Sequence, residues 1–73
     1  MAYYKIDVLG KNGYSFMVET EEELMYEEDA IDLALAHNLF QDDCDADNAV
    51  VDDLVTDTDI QHFKSCQCCH KVN

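Results

Sequence analysis

Residues 3–20 read YYKIDVLGKNGYSFMVET, and this stretch decides the fold. In its first part, apolar and more polar side chains alternate, which is typical of a strand that is buried on one face. Residues 14–20 repeat the alternation, and residues 10–13 between them offer two glycines and Asn12, which tolerates a positive φ. The pattern predicts an antiparallel β-hairpin closed by a tight turn.

An amphipathic helix is predicted next, over residues 28–40. Apolar side chains recur there every three or four positions, so they share one face of a helix, and we expect that face to lie across the hairpin. The positions of this face are Ile31, Ala34, Leu35 and Leu39, with Ala30 and Asn38 beside them.

The start of this helix has two alternatives. Thr20 followed three residues later by Glu23 fits a capping box, which would begin the helix near Glu21. Alternatively, the second strand continues through Leu24 and the helix begins near Tyr26 or Glu27. The sequence leaves both alternatives open.

The middle of the chain carries weaker patterns. Residues 41–48 (QDDCDADN) are rich in turn-forming Asp and Asn, which predicts a loop. Residues 49–55 fit a short helix as well as an irregular strand. Residues 56–64 alternate and are rich in β-formers, which favours a third strand beside the hairpin. The expected fold class is α+β with the order ββαβ, and an extra short helix near 47–55 is the option left open.

The C-terminal residues 65–73 (SCQCCHKVN) contain no apolar periodicity. We therefore expect a single compact acidic α+β domain over residues 1–64, followed by a Cys-rich flexible tail that adds nothing to the core. Three of the four cysteines crowd into four positions of this tail, which is poor spacing for a disulfide framework, so reduced thiols are expected.

Charge is sorted along the sequence. The formal net charge is −13, and residues 19–59 hold sixteen of the seventeen carboxylates and none of the lysines, which are Lys5, Lys11, Lys64 and Lys71. Solvated helix faces normally mix both signs, whereas carboxylates three or four positions apart repel one another. Such a surface attracts basic partners, repels nucleic acid and favours a soluble monomer.

The candidate partner-binding residues are the carboxylates of the helix, of its N-terminal approach and of the 41–48 loop, with an aromatic side chain as anchor. They are Glu21, Glu22, Glu23, Glu27, Glu28, Asp29, Asp32, Asp42, Asp43, Asp45 and Asp47, with Tyr26 and Phe40 as anchors. The expected partner is the basic surface of a nucleic-acid-binding complex, without direct contact to nucleic acid.

Residues 43–54 match a calcium-binding loop only in part, so a calcium site is not expected there. Asp43, Asp45 and Asp47 occupy the first, third and fifth positions of such a loop, but the sixth is Asn48 instead of Gly and the twelfth is Leu54 instead of Glu.

The tail offers soft metal ligands in Cys66, Cys68, Cys69 and His70. A tetrahedral zinc site normally uses two ligand pairs separated by a structured loop, and these four lie too close together for that arrangement. We expect no cofactor, with zinc binding at these side chains as the alternative. Cys44 would complete a site if the tail folded back.

Neither catalysis nor membrane insertion is expected. His37 and His62 have no neighbouring nucleophile, and the chain offers no positioned pair of nucleophile and base. No apolar run approaches the ~20 residues of a membrane span, and the N-terminus lacks the apolar core of a signal peptide. The expected location is the cytoplasm.

The hairpin, the helix start EEDAIDLA at residues 27–34 and the sequence DTDI at residues 57–60 together resemble the small DpnD/PcfM-like proteins of bacterial mobile elements. This resemblance covers residues 3–63 and implies a ββαβ fold. In size, charge and lack of catalytic residues the chain is also similar to phage-encoded anti-CRISPR and other DNA-mimic proteins, which implies an inhibitor in the cytoplasm of a bacterial host.

The expected function is therefore non-catalytic inhibition. The carboxylates would occupy the basic nucleic-acid channel of a CRISPR-Cas or similar nuclease or defence complex and take the place of phosphates. The alternative is a small metal-binding or thiol-responsive protein that uses its Cys/His tail.

Overall fold

The computed structural model describes residues 1–11, 13–52 and 54–72. Its strands are β1 (Ala2–Val8), β2 (Tyr14–Thr20), β3 (Ala49–Asp52) and β4 (Cys69–Lys71), and its helices are α1 (Glu28–Ala36), the 3-10 helix Asp43–Asn48 and α2 (Asp57–Ser65). The strands form a mixed sheet in the order β3-β1-β2-β4, in which β3 is antiparallel to β1 and β4 is parallel to β2. The predicted α+β fold class is confirmed.

The predicted hairpin is also confirmed. β1 and β2 pair antiparallel with Ile6 opposite Phe16, so the apolar sets of the two strands share one face. Gly10 has a φ of 132°, a conformation that favours glycine, and its carbonyl accepts a 3.2 Å hydrogen bond from the Gly13 N–H. Asn12 lies outside the described residues.

α1 packs on the apolar face of the hairpin and forms the main core with it. Ile6 and Val18 of the sheet and Ala30 and Ala34 of α1 are fully buried. The small alanine side chains let the helix backbone approach the sheet closely. Leu35, predicted to face the sheet, is 38% exposed, so the buried stripe of α1 runs through the two alanines instead.

α1 begins at Glu28, which supports the later of the two predicted starts. The extension of the second strand through Leu24 is wrong, because β2 ends at Thr20. The Thr20 side chain is buried and does not cap a helix, because its hydroxyl donates a 2.7 Å hydrogen bond to the Glu22 carbonyl. Glu27 occupies the N-cap position of α1. Residues 21–27 are therefore a non-helical connection between β2 and α1, which we call the acidic linker.

α1 ends at Ala36, four residues before the predicted end, because Asn38 adopts a left-handed φ of 58°. The Asn38 N–H donates to the Leu35 carbonyl at 3.2 Å, and the Leu39 N–H donates to the Ala34 carbonyl at 2.9 Å. This pair of bonds is a Schellman C-cap. Asn is among the residues that tolerate this conformation best after glycine, so the sequence stops the helix here.

The third strand predicted over residues 56–64 is wrong, because this segment is the helix α2. The Asp59 N–H donates to the Thr56 hydroxyl, and the Thr56 N–H donates to the Asp59 carboxylate, both at 3.2 Å. This capping box satisfies backbone N–H groups that a helix start otherwise leaves without partners. Phe63 is then buried with Ile60 half-buried, and the two are spaced as on a helix.

α2 covers the face of the hairpin opposite α1. Met17 and Phe63 are buried there, and the Lys64 ammonium donates a 3.1 Å hydrogen bond to the Tyr3 hydroxyl and lies 5.1 Å from the centre of that ring. The Lys5 ammonium lies 6.0 Å from the centre of the Phe63 ring. The sheet is therefore covered on both faces, in three layers formed by α1, the sheet and α2.

The ambiguous segment 49–55 contains the third strand of the expected ββαβ order. β3 pairs with β1, and Val51 lies opposite Ile6. The preceding segment 41–48, predicted to be a loop, contains the 3-10 helix, in which the Asp42 carboxylate accepts a 3.0 Å hydrogen bond from the Cys44 N–H. The predicted short helix thus lies slightly earlier, and the predicted strand lies well before residue 56.

The C-terminal residues belong to the sheet and to the core. β4 pairs with β2 so that His70 lies opposite Val18, and Val72 is only 2% exposed within the main core. The expected end of the compact domain at residue 64 is therefore corrected, since the fold includes residues up to Val72. A tail of three polar and thiol-bearing strand residues gives no periodic signal, and its pairing depends on a distant strand.

Candidate functional site

Three of the four lysines lie on the α2 side of the sheet, and all four are among the described residues. Lys5 is the register partner of the buried Met17, and Lys71 is the register partner of Glu19, so these side chains share the face that α2 covers. Lys64 lies on α2 itself. The remaining lysine, Lys11, lies in the hairpin turn.

Eleven of the seventeen carboxylates lie on the other side, which we call the acidic surface. It is formed by the acidic linker, the outward part of α1 and the segment around the 3-10 helix. Its members are Glu21, Glu22, Glu23, Glu27, Glu28, Asp29, Asp32, Asp42, Asp43, Asp45 and Asp47. All are exposed except Asp29 and Asp45, which are half-buried.

Two tyrosines of the hairpin hold this surface in place. The Tyr4 hydroxyl accepts a 2.7 Å hydrogen bond from the Leu24 N–H in the acidic linker. The Tyr14 hydroxyl donates a 2.6 Å hydrogen bond to the Asp45 carboxylate and accepts one of 2.9 Å from the Gln41 N–H. Each anchors an irregular segment to a rigid strand, so the carboxylates of that segment are positioned by the sheet.

The described contacts of Lys5 and Lys64 lie on the α2 side of the sheet. The Lys5 ammonium forms a salt bridge with the Asp52 carboxylate at 3.8 Å, and Lys5 points to the α2 side. Lys64 interacts with the Tyr3 hydroxyl, which in turn donates to the Glu19 carboxylate at 2.9 Å. Lys5 and Lys64 are therefore engaged on the face opposite the acidic surface.

The pKa values of two groups near the acidic surface, Cys44 and Tyr14, are raised. The Asp42 carboxylate, acting through its charge and its hydrogen bond, raises the pKa of the Cys44 thiol above its ordinary value. Burial, followed by the hydrogen bond to Asp45, raises the pKa of the Tyr14 hydroxyl. Both groups would become anions on losing a proton, and the acidic surroundings disfavour that charge.

One predicted anchor is available on the surface and the other is not. Tyr26 is 65% exposed in the acidic linker. Phe40 is only 8% exposed, and its ring packs edge-on against Phe16 with the ring centres 5.2 Å apart. The prediction of Phe40 as a partner-binding residue is therefore corrected, because the C-cap of α1 turns the chain so that this ring enters the core.

Met25 is a candidate that the sequence prediction missed. It is 84% exposed, beside Tyr26 and within the acidic linker. The sequence itself indicates this exposure, because Met25 lies among carboxylates and outside the apolar stripe of the predicted helix. An exposed thioether and an exposed aromatic ring side by side form an apolar projection within the acidic surface.

The calcium-loop pattern does not correspond to a converging ligand set. Asp43, Asp45 and Asp47 lie in a 3-10 helix, where the Asp45 carboxylate accepts a hydrogen bond from Tyr14. Asp42, which the pattern did not include, caps this helix through the Cys44 N–H. Both carboxylates thus serve to position the segment.

The four predicted zinc ligands are spread over several elements. Cys66 is the C-cap residue of α2, Cys68 follows in the turn, and Cys69 and His70 are neighbours in β4. Side chains of neighbouring strand residues point to opposite faces, and the His70 ring packs near Phe16 in the main core, with 6.2 Å between the ring centres. Within residues 1–11, 13–52 and 54–72, no group of three His, Cys, Asp or Glu side chains could hold a metal ion.

Comparisons with known proteins give no functional assignment. No protein-family model, no curated protein and no solved structure matches the chain. None of the helices described here is long and apolar enough to cross a membrane.

Proposed function

We propose that this protein is a non-catalytic inhibitor that binds the basic nucleic-acid channel of a protein complex and takes the place of phosphates there. The expected class of target is a CRISPR-Cas effector or a similar nuclease or defence complex. The partner is thus a basic protein surface, and nucleic acid is the competitor.

The observation that carries the proposal is the placement of lysine on the two sides of the sheet. Eleven carboxylates lie on the acidic surface, while Lys5, Lys64 and Lys71 lie on the α2 side. If the excess of carboxylates served only solubility, lysines would be expected among them on both faces. A face that enters a channel lined with Lys and Arg is expected to lack cations, because each cation on it would be repelled by the channel.

Rigidity adds to the case. Nucleic-acid channels bind phosphates through many weak, salt-sensitive contacts, so a competitor must present several negative charges at once. The helix α1 and the hydrogen bonds from Tyr4 and Tyr14 fix most of the acidic surface to the sheet before binding. Less conformational entropy is then lost when the complex forms.

The apolar projection formed by Met25 and Tyr26 supplies what charge alone does not. Exposed ion pairs contribute little affinity each, whereas an aromatic side chain buried in a partner's pocket is a typical hot spot. At 84% and 65% exposure, these two side chains are available for that role.

The proposal is tested by displacement of nucleic acid from purified complexes. A panel of guide-loaded CRISPR effectors and DNA nucleases is incubated with fluorescently labelled target DNA, and anisotropy is followed as the protein is added. We expect one member of the panel to release its DNA in a concentration-dependent and salt-sensitive manner. Release from no member, or release from all members alike, would contradict a specific channel inhibitor.

A further inference from the structure

An open cavity of about 310 Å³ lies beside the acidic surface, at the end of β2. Its wall is mainly apolar and is formed by Leu24 of the acidic linker, Leu33 of α1 and Val72 after β4. Its volume is at the lower end of the ~300–1,000 Å³ range of ligand pockets, a size suited to a small group. Three separate segments of the chain meet there.

Hydrogen bonds hold the wall of this cavity in shape. The Val72 N–H donates to the Glu19 carbonyl at 2.9 Å, and the Thr20 hydroxyl donates to the Glu22 carbonyl at 2.7 Å. The Leu24 N–H is bonded to the Tyr4 hydroxyl. The segments that line the cavity are thus tied to one another and to β1 before any ligand binds.

The rim of the cavity is acidic. Glu21 and Glu22 line it, and both are exposed members of the acidic surface. An apolar floor with carboxylates at the edge selects a group that is apolar at its tip and positively charged beside it. A purely apolar ligand gains nothing from the rim, and an acidic ligand is repelled by it.

We propose that this cavity binds an apolar side chain of the partner, taken from a segment in which that side chain is flanked by Lys or Arg. The inference rests on the proposed function, because it names the chemistry of one contact made with the basic partner. The cavity would receive a side chain of the partner, whereas the exposed Tyr26 would insert into the partner.

Short synthetic peptides test the proposal on the whole 73-residue chain without the target complex. The probe is N-acetyl-Lys-Leu-Lys-amide, and its two controls replace the central Leu by Ser or both Lys by Glu. Methyl resonances of Leu24, Leu33 and Val72 are followed by NMR at low salt. We expect saturable shifts of these methyl groups with the Lys-Leu-Lys probe and weak or no shifts with either control.

Two matched substitution pairs locate the charge requirement. Glu21→Gln with Glu22→Gln removes the rim carboxylates, and Glu28→Gln with Asp32→Asn removes the same charge elsewhere on the acidic surface. The rim pair should raise the Kd of the Lys-Leu-Lys probe roughly two- to tenfold, the size expected for two exposed ion pairs, while the α1 pair changes it less.

Other results would overturn the proposal. Absence of methyl shifts with the Lys-Leu-Lys probe, equal methyl shifts with the Ser or Glu control, or equal effects of the two substitution pairs would each do so. None of these results bears on DNA displacement from an effector complex, which is measured without peptides. Failure of the cavity proposal is therefore distinguishable from failure of the proposed function.

Discussion

The main-chain N–H of Val72 donates a 2.9 Å hydrogen bond to the carbonyl of Glu19, the penultimate residue of β2. Fifty-three positions separate the two residues in sequence. The bond continues the parallel pairing of β4 with β2 and directs the Val72 side chain into the main core, where it is 2% exposed. Residues near the C-terminus thereby become part of the structure that supports the acidic surface.

Val72→Ala should therefore destabilise the protein by about 2 kcal/mol, from the lost burial of two carbon atoms and the cavity left behind. Chemical denaturation followed by circular dichroism measures this change. Leu54→Ala is the control, because Leu54 is 79% exposed and a surface change of this kind costs under about 0.5 kcal/mol. Equal effects of the two substitutions would contradict the placement of Val72.

Gln67→Gly should stabilise the protein by about 1 kcal/mol. Gln67 has a φ of 60° in the C-cap of α2, where its N–H donates to the Lys64 carbonyl at 3.2 Å, and a side chain is unfavourable in this conformation. The matched control is Gln61→Gly in the exposed middle of α2, which should destabilise by about 1 kcal/mol. Opposite signs of the two changes in thermal or chemical denaturation confirm the cap, and a loss of stability in both would contradict it.

The hairpin and the sorting of charge could be predicted because both depend on neighbouring residues. Alternation within residues 3–20 fixes the inner face of two adjacent strands, and the paired positions Ile6 and Phe16 follow from the short turn. The sequence does not decide the start of α1, because the Thr20 hydroxyl can cap a helix or bond within the linker, and in the structure it bonds the Glu22 carbonyl.

α2 and β4 could not be derived in the same way. Residues 56–64 satisfy an alternating pattern as well as a helical one, and the capping box of Thr56 and Asp59 decides between them. A strand at residues 56–64 leaves one face of the sheet without a covering helix, so the alternating pattern does not predict the burial of Met17. β4 has three residues and pairs with a strand about fifty positions away, so no local pattern predicts it.

Cys44 reports the electrostatic field of the acidic surface. The nearby Asp42 carboxylate raises the pKa of its thiol, and only the thiolate reacts rapidly with alkylating reagents. Asp42→Asn keeps a side-chain acceptor for the cap and removes the charge, so the thiol pKa should fall and alkylation of Cys44 at pH 8 should become faster. Peptide mapping by mass spectrometry reads this cysteine separately from the other three. Asp57→Asn, on α2, should leave the rate unchanged; an unchanged rate in Asp42→Asn would contradict the field.

Added salt should raise the melting temperature. Screening weakens the repulsion among carboxylates that have few cationic partners, and the salt bridge between Lys5 and Asp52 is long and partly exposed. Glu28→Gln with Asp32→Asn relieves part of the repulsion and should reduce the salt dependence. Calorimetry between 10 mM and 500 mM sodium chloride, concentrations on the order of those that change the Debye length from ~30 to ~4–5 Å, measures both effects. A melting temperature that falls with salt would mean that the acidic residues are held by ion pairs.

The acidic surface is proposed to compete with nucleic acid, and two double variants test this role. Glu28→Gln with Asp32→Asn neutralises two exposed carboxylates of the acidic surface, and Asp7→Asn with Asp57→Asn makes the same change in net charge on the α2 side. The two double variants therefore lose the same amount of charge, but on opposite sides of the sheet. Tyr26→Ala, which leaves the charge intact, should weaken binding without changing its dependence on salt.

The most direct measurement is the inhibition constant for displacing labelled DNA from the responsive effector complex, determined for these two double variants at the same ionic strength. We predict that loss of Glu28 and Asp32 weakens inhibition by about tenfold, from two charge contacts at the upper end of their usual size, while loss of Asp7 and Asp57 changes it less than about threefold. Equal weakening by both variants, or no weakening by either, would contradict a nucleic-acid mimic that acts through its acidic surface.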